Sequence, residues 1–237
     1  MQAILTIIIP VYNEEDNIKK LEFVLERYMK SAKVPTRVLF VNDGSTDKSQ
    51  DLIEQVCKKN PFFSFIELDK NSGLSAALKA GFDIINTKFI GYMDADLQTN
   101  PEDFNLLLDH IDGYDLITGV RYSRKDSFLK KASSRIANSI RRVFTHDGMD
   151  DTGCPLKIIR SSFAKRIPMF SGLHRFLPAM ILLQNGRVKQ VAVEHYPRVA
   201  GQSKYGLLNR ILGPLIDCFV YLWMKRRYIN YHVKKVK

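Results

Sequence analysis

The chain predicts an α/β fold with a mostly parallel central sheet flanked by helices, and three observations predict it. Strand-like and helix-like segments alternate through the first half at the spacing of βαβ units, which buries a parallel sheet between two helical layers. Polar clusters recur where those strands end, as "PVYNEE", "NDGSTD" and "MDADLQ", and ligands of such sheets bind beyond the carboxyl ends of the strands. A GxGxxG after the first strand and a GxxxxGK[ST] are both missing from the sequence. That excludes the common dinucleotide and P-loop versions of the architecture.

The elements follow in order. "ILTIII" (4–9) is an apolar, β-branched strand that Pro10 should end. Asn13 then reads as the N-cap of a helix over 13–30, with Ile18, Leu21, Leu25 and Tyr28 on one face. "RVLFVN" (37–42) is the second strand. After it "DGSTDKS" turns at Asp43-Gly44 and offers Thr46 or Asp47 as cap for a helix carrying Leu52, Ile53 and Val56. "FFSFIEL" (62–68) is the third strand, 72–85 a helix of small residues, and "KFIGYM" (88–93) the fourth strand. A helix over 101–111 starts with Pro101 in its first turn, and "YDLITGV" (114–120) is the fifth strand. The alternation then stops. Residues 123–145 read as a basic helix, 174–186 as helical, 188–197 as a strand and 198–206 as a polar turn. "DDTGCPLKIIR" (150–160) falls between them with no element assigned. One domain over 1–210 with an amphipathic basic extension over 211–237 fits this organisation.

Composition narrows the function. Among 237 residues, 45% are hydrophobic, enough for a core. Lys and Arg outnumber Asp and Glu by 36 to 25, a net charge of +11, which favours an anionic partner such as a nucleotide, a phosphorylated substrate or a phospholipid surface. No nucleic-acid motif accompanies the charge, so nucleic acid is not expected as a partner. Cys57, Cys154 and Cys218 are few and scattered, pointing to a reducing compartment and no structural zinc. The N-terminus has no basic n-region and reads as a strand, not a signal peptide. The longest apolar candidate, 211–224, is interrupted by Pro214 and Asp217, so no membrane-spanning helix is expected.

"TIIIPVYNEEDNI", "VNDGSTDKS", "NSGLSAALKAGF" and "MDADLQTNPED" stand in the order and spacing of family 2 glycosyltransferases, which the chain resembles over nearly all of its length up to about residue 210. The later pieces "GVR", "DTGCPLK", "HRFLPA" and "HYPRVAGQSKYG" are similar to the branch that contains dolichyl-phosphate mannosyltransferase and the bacterial polyprenyl-phosphate glycosyltransferases. The resemblance implies the GT-A fold, a nucleotide-diphosphate sugar donor carrying GDP or UDP, a polyprenyl phosphate acceptor, and inversion at the anomeric carbon. It implies that Asp96 binds Mg²⁺ or Mn²⁺, that Gln98 completes that site, and that Asp94 lies near the ribose or the metal. Hard oxygen ligands suit such cations. Taken alone, Asp96 or Asn100 would equally cap the helix beginning near Pro101. Asp43 matches aspartates that accept from a base N–H, and Pro10, Tyr12 and Glu14 match a nucleotide-contacting loop. Asn71, Gly73 and Lys79 fall in the next loop, where Lys79 is also readable as a solvated helix charge.

Basic residues crowd 121–142, and Lys131, Arg135, Asn138 and Arg142 share one helical face. A solvated helix accounts for such a run. In the resembling branch, however, arginines and a serine matching Arg121, Ser134 and Arg135 hold the phosphate of the lipid acceptor. A phosphate is already anionic and needs cations in line, whereas a sugar hydroxyl needs a general base. Asp150 and Asp151 are the base candidates, with Asp151 read as positioning groups and the pair also readable as a capped turn. Arg198, Ser203 and Lys204 belong to a Gly-containing loop that would close over the donor diphosphate. His174, beside Arg175, would reach the acceptor, but a lone histidine is more often structural and is not counted as catalytic. The C-terminal mix of aromatics with Lys225, Arg226 and Arg227 suits peripheral attachment to the cytoplasmic face of a membrane, with an oligomer-forming helix as the alternative. Transfer to a saccharide or glycolipid hydroxyl with Asp151 as base is the second enzymatic reading. A silent nucleotide-sugar-binding adaptor is the reading from another class, and intact Asp94, Asp96 and Arg121 weigh against it.

Overall fold

A computed structural model describes residues 2–121, 139, 141–196, 212–230 and 234–235. Among them, seven strands form one sheet in the order β3-β2-β1-β4-β6-β5-β7. The strands are β1 (Leu5–Val11), β2 (Thr36–Asn42), β3 (Phe63–Glu67), β4 (Phe89–Tyr92), β5 (Leu116–Arg121), β6 (Lys157–Arg160) and β7 (Val188–Val193). The helices are α1 (Glu15–Ser31), α2 (Ser49–Lys59), α3 (Leu74–Ile84), α4 (Phe104–Leu108), α5 (Ser161–Lys165), α6 (Leu177–Leu183) and α7 (Leu212–Arg227). A short helical stretch also occupies 141–145.

Side-chain alternation builds the two layers. On β1, Leu5, Ile7, Ile9 and Val11 pack on one face with α1, α2 and α4, while Ile8 packs on the other with α3, α6 and α7. Helix α1 buries Ile18, Leu21, Leu25 and Tyr28, the face its periodicity predicts. β1 to β4 pair in parallel, and β5 pairs with β7 in parallel. β6 runs antiparallel between β4 and β5. Every parallel strand therefore ends on one edge of the sheet, and the reversed β6 brings its first residue, Lys157, to that same edge opposite Tyr92.

Several sequence expectations are corrected. Pro10 does not end β1, which runs on to Val11 opposite Asn42. The β4 ladder has already stopped at Ile8, so a residue without an N–H is tolerated there. Asn13 does not cap α1: it adopts φ 51°, and its side chain crosses to the next loop. The segment "KIIR", assigned to no element, is the interior strand β6, between β4 and β5. The helix predicted over 101–111 opens as a 3₁₀ turn and its α portion ends at Leu108, while Asn100 caps it by accepting from the Glu102 amide at 3.1 Å. The 174–186 helix likewise opens as a 3₁₀ turn over Leu173–Phe176 before α6. The last strand is shorter than predicted and stops at Val193. Of the basic helix expected over 123–145, residues 123–138 and 140 lie outside the described residues. Within its remainder Arg141 is not solvated but 5% exposed, paired with Asp147 and donating to the Met149 carbonyl at 2.8 Å.

Helix α7 packs against the domain by one face. Cys218 and Tyr221 are buried, Tyr221 stacks on Phe176 with ring centroids 5.7 Å apart, and Phe219 meets Phe144 edge-on at 5.2 Å. Ile216, Phe219 and Trp223 remain exposed on its outer side. Among the described residues no helix is long and apolar enough to cross a membrane.

Candidate active site

Two groups of residues form at the carboxyl edge of the sheet. The first links the loops after β1, β2 and β3. The Asn13 amide donates to Ser45 Oγ at 3.0 Å, the Thr46 amide to Asn13 Oδ1 at 2.8 Å, and the Glu14 amide to Ser49 Oγ at 2.9 Å. Asp47 accepts from the first amide of α2, Ser49, at 2.9 Å and from the first amide of α1, Glu15, at 3.2 Å. One carboxylate thus serves two helix starts. Asp43, 4% exposed, accepts from the Ser72 amide at 2.7 Å through one oxygen and from the Gly73 amide at 2.8 Å through the other. Gly44 sits at φ 64°, and a Cβ there would collide with the backbone of Lys70 and Asn71. The Asp-Gly pair therefore lets the β3–α3 loop lie directly over the β2 turn.

The second group surrounds the aspartate pair. Tyr92 donates its hydroxyl to Asp94 Oδ1 at 2.7 Å. Burial, then the neighbouring Asp96 charge, pushes the Asp94 carboxyl up to about 6, against the opposing effects of the Tyr92 hydrogen bond, Lys157 and Arg121. Asp96 is 7% exposed and accepts from the Gln98 amide at 3.1 Å. The Lys157 ammonium, 1% exposed, donates to the carbonyls of Thr152 and Cys154 and lies 5.9 Å from the Tyr92 ring centroid. Burial lowers its pKa, partly opposed by the nearby anionic groups. The donor set of two carboxylates fits a hard divalent cation, because bringing Asp94 and Asp96 together carries a charge penalty that a cation relieves.

Arg121 closes β5 with a bidentate ion pair to Asp151, Nε to Oδ2 at 2.7 Å and Nη2 to Oδ1 at 2.9 Å. The Gly153 amide also donates to Asp151 Oδ1 at 3.1 Å. Both side chains are largely buried, at 14% and 9% exposure. Two parallel N–H···O bonds fix the plane of the guanidinium as well as its place.

The structure brings Tyr12, Glu14, Asp43, Asn71 and Gly73 together in the first group, with Pro10 leading into it. Asp94, Asp96, Gln98, Arg121 and Asp151 form the second. Gln98 bridges to the segment after β7: its side-chain amide donates to the Tyr196 carbonyl at 3.4 Å, and its own carbonyl accepts from the Tyr196 amide at 2.9 Å. Lys79 pairs with Asp83 one turn along α3. Ser134, Arg135, Arg198, Ser203 and Lys204 lie outside the described residues. Sequence reasoning missed Lys157 and Ser75. A lone lysine in the apolar run "PLKIIR" was the available signal for the first. Ser75 had none, being one small residue among several in α3.

The model of glycosyl transferase family 2 matches residues 6–167. Dodecaprenyl-phosphate galacturonate synthase of Rhizobium johnstonii is 32% identical over 231 residues, covering 94% of this chain and 68% of that protein. An undecaprenyl-phosphate 4-deoxy-4-formamido-L-arabinose transferase of Edwardsiella ictaluri is 31% identical over 217 residues, covering 90% and 67%. Among solved structures, glucosyl-3-phosphoglycerate synthase from Mycobacterium tuberculosis, in complex with Mn²⁺, uridine diphosphate and glucosyl-3-phosphoglycerate, superposes with a TM-score of 0.72 at 11% identity, covering 98% of this chain and 82% of the other. A mannosyltransferase from Pyrobaculum calidifontis, in complex with GDP-Man and Mn²⁺, gives 0.67 at 15% identity, covering 93% and 64%. At these identities the structural likeness speaks for the fold.

Proposed function

The chain belongs to glycosyl transferase family 2, with the GT-A fold, and from that premise we propose that it moves a sugar from a nucleoside diphosphate to a polyprenyl phosphate with inversion at the anomeric carbon. The observation that carries the acceptor half is the Arg121–Asp151 clamp. Both oxygens of Asp151 accept from Arg121, so taking up a proton would cost the ion pair. Asp151 is therefore a poor general base and a good device for aiming a guanidinium. A phosphate monoester needs no base and is drawn to such a cation. The two relatives above, whose names specify polyprenyl phosphates, support the same acceptor class.

On this reading Pro10, Tyr12, Glu14, Asn71 and Gly73 wall the nucleotide. Asp43 has a second lone pair on each oxygen beyond those used by Ser72 and Gly73, and these serve the base. Asp96 and Gln98, with Asp94, hold the divalent cation, Mg²⁺ or Mn²⁺. When bound, that cation offsets the charge gathering on the departing diphosphate. Lys157 tempers the carboxylates from below and holds the 152–154 turn that carries Asp151 into place. Arg121, with Ser134 and Arg135, takes the acceptor phosphate, and Arg198, Ser203 and Lys204 close on the donor. The outer side of α7, with Ile216, Phe219 and Trp223 beside Lys225, Arg226 and Arg227, meets the membrane surface where the lipid acceptor resides. A panel of UDP- and GDP-sugars incubated with divalent metal and a short-chain polyprenyl phosphate tests the proposal. Formation of a glycosylated lipid phosphate with one donor is expected, and turnover confined to free saccharide acceptors would overturn it.

A further inference from the structure

His174 joins the two halves of the site. It stands in the 3₁₀ turn before α6, and its Nδ1 lies 2.8 Å from Ser75 Oγ in the first turn of α3. Ser75 is two residues beyond Gly73, whose amide Asp43 binds in the nucleotide group. The charge of Lys157 also reaches the imidazole, and the same charge reaches Asp94. The ring therefore stands beside the loop of the nucleotide group and within electrostatic reach of the lysine near the aspartates. On the transferase reading the sugar of the donor lies between the nucleotide loops and Arg121, and the ring stands beside the first of these.

The surroundings of the ring accommodate a neutral imidazole with its proton on Nε2. The Gly172 amide donates to Ser75 Oγ at 3.1 Å, and the hydroxyl's own proton remains available to the imidazole nitrogen 2.8 Å away. Burial, followed by the charges of Arg175 and Lys157, holds the imidazole neutral, down to about 3. Among the described residues Nε2 has no hydrogen-bond partner, and it is not among the sealed, unsatisfied polar atoms of the interior. We propose that His174 is a sugar-binding residue: Ser75 holds Nδ1 as the acceptor, and Nε2–H donates to a hydroxyl of the sugar carried by the nucleotide. Ser75 is the positioning residue that acts through it. A neutral N–H donor suits a hydroxyl, whereas the phosphates have Arg121 and a cation to meet them.

This inference rests on the transferase reading, and the experiment separates the two. In the full chain with Mn²⁺, calorimetry compares UDP and GDP with the cognate nucleotide-sugar, and ¹⁵N ring shifts report the tautomer. His174→Ala is expected to leave nucleoside diphosphate affinity within about twofold and to weaken the nucleotide-sugar about tenfold, the scale of one hydrogen bond. Ser75→Ala is expected to weaken it in the same direction by less, with ring shifts moving away from the pure Nε2–H form. Equal loss for diphosphate and nucleotide-sugar, no loss for either, or an Nδ1–H ring in the unsubstituted protein would overturn the assignment. If the unsubstituted protein binds nucleoside diphosphates but no nucleotide-sugar, the transferase reading fails and the sugar contact goes with it.

Discussion

Asp94 and Asp47 show how single carboxyl groups answer to opposite surroundings. Asp94 is raised to about 6 by burial and then by Asp96. Replacing Asp96 with Asn should bring that value down toward the ordinary carboxylate range while burial keeps it from getting there, which a ¹³C carboxyl titration would read. No downward change would mean that the two groups do not share a field. Asp47 is lowered: burial opposes this, but the hydrogen bonds from Ser49 and Glu15 outweigh it. A depressed folded value means its contribution to stability is complete above the unfolded value near 3.8 and is lost as pH falls through the folded one. Asp47→Asn should therefore melt below the unsubstituted protein at neutral pH, with the gap closing in acid. At this scale the aspartate pair was legible because its neighbours stand in a recognisable order. Lys157 was not, because its proximity to Asp94 comes from strand pairing between distant segments.

The turn after residue 150, strand β6 and the end of β5 work as one element through the Arg121–Asp151 pair. Removing one partner of a largely buried ion pair strands the other charge, at a cost of about 3 kcal/mol. Asp151→Asn should also reduce kcat/KM by roughly 10²-fold, the scale on which misaimed charge stabilisation is felt. Arg121→Lys should fail to restore it, since an ammonium cannot copy the two-pronged geometry; steady-state kinetics alongside thermal melts would check both. Helix α7 depends on Tyr221 against Phe176, and Tyr221→Ala should cost about 3 kcal/mol in denaturant unfolding. Strand β6 was illegible locally. It is four residues long and follows a turn, and its reversed direction breaks the βαβ rhythm by which its neighbours were recognised. Helix α1, with four apolar residues at helical spacing, was legible for the converse reason, although its cap was not, because Asn13 is spent on the next loop.

Across the whole molecule, the parallel strands place every loop after a strand on one edge, and the reversed β6 adds a buried lysine there. On the proposed function that edge has a donor half around Asp43 and an acceptor half around Arg121, with the aspartate pair serving both. The net charge of +11 and the outer side of α7 add a surface suited to anionic lipid. Cosedimentation with anionic vesicles should fall as salt rises and fall further in Trp223→Ala, whereas salt-insensitive binding would contradict an electrostatic contribution. Fold class and the polar loops at the strand ends could be inferred before any coordinates because local patterns carry them. The clamp and the lysine floor could not, because they arise only when segments some 30 to 60 residues apart meet, a separation that local pattern cannot see. The proposed function makes the acceptor a phosphate aimed by arginine, not a hydroxyl activated by a base. It is tested most directly by supplying one labelled nucleotide-sugar with polyprenyl phosphate or with the matching polyprenol, which lacks only the phosphate. Label is expected on the lipid phosphate alone; comparable transfer to the polyprenol would overturn the phosphate acceptor.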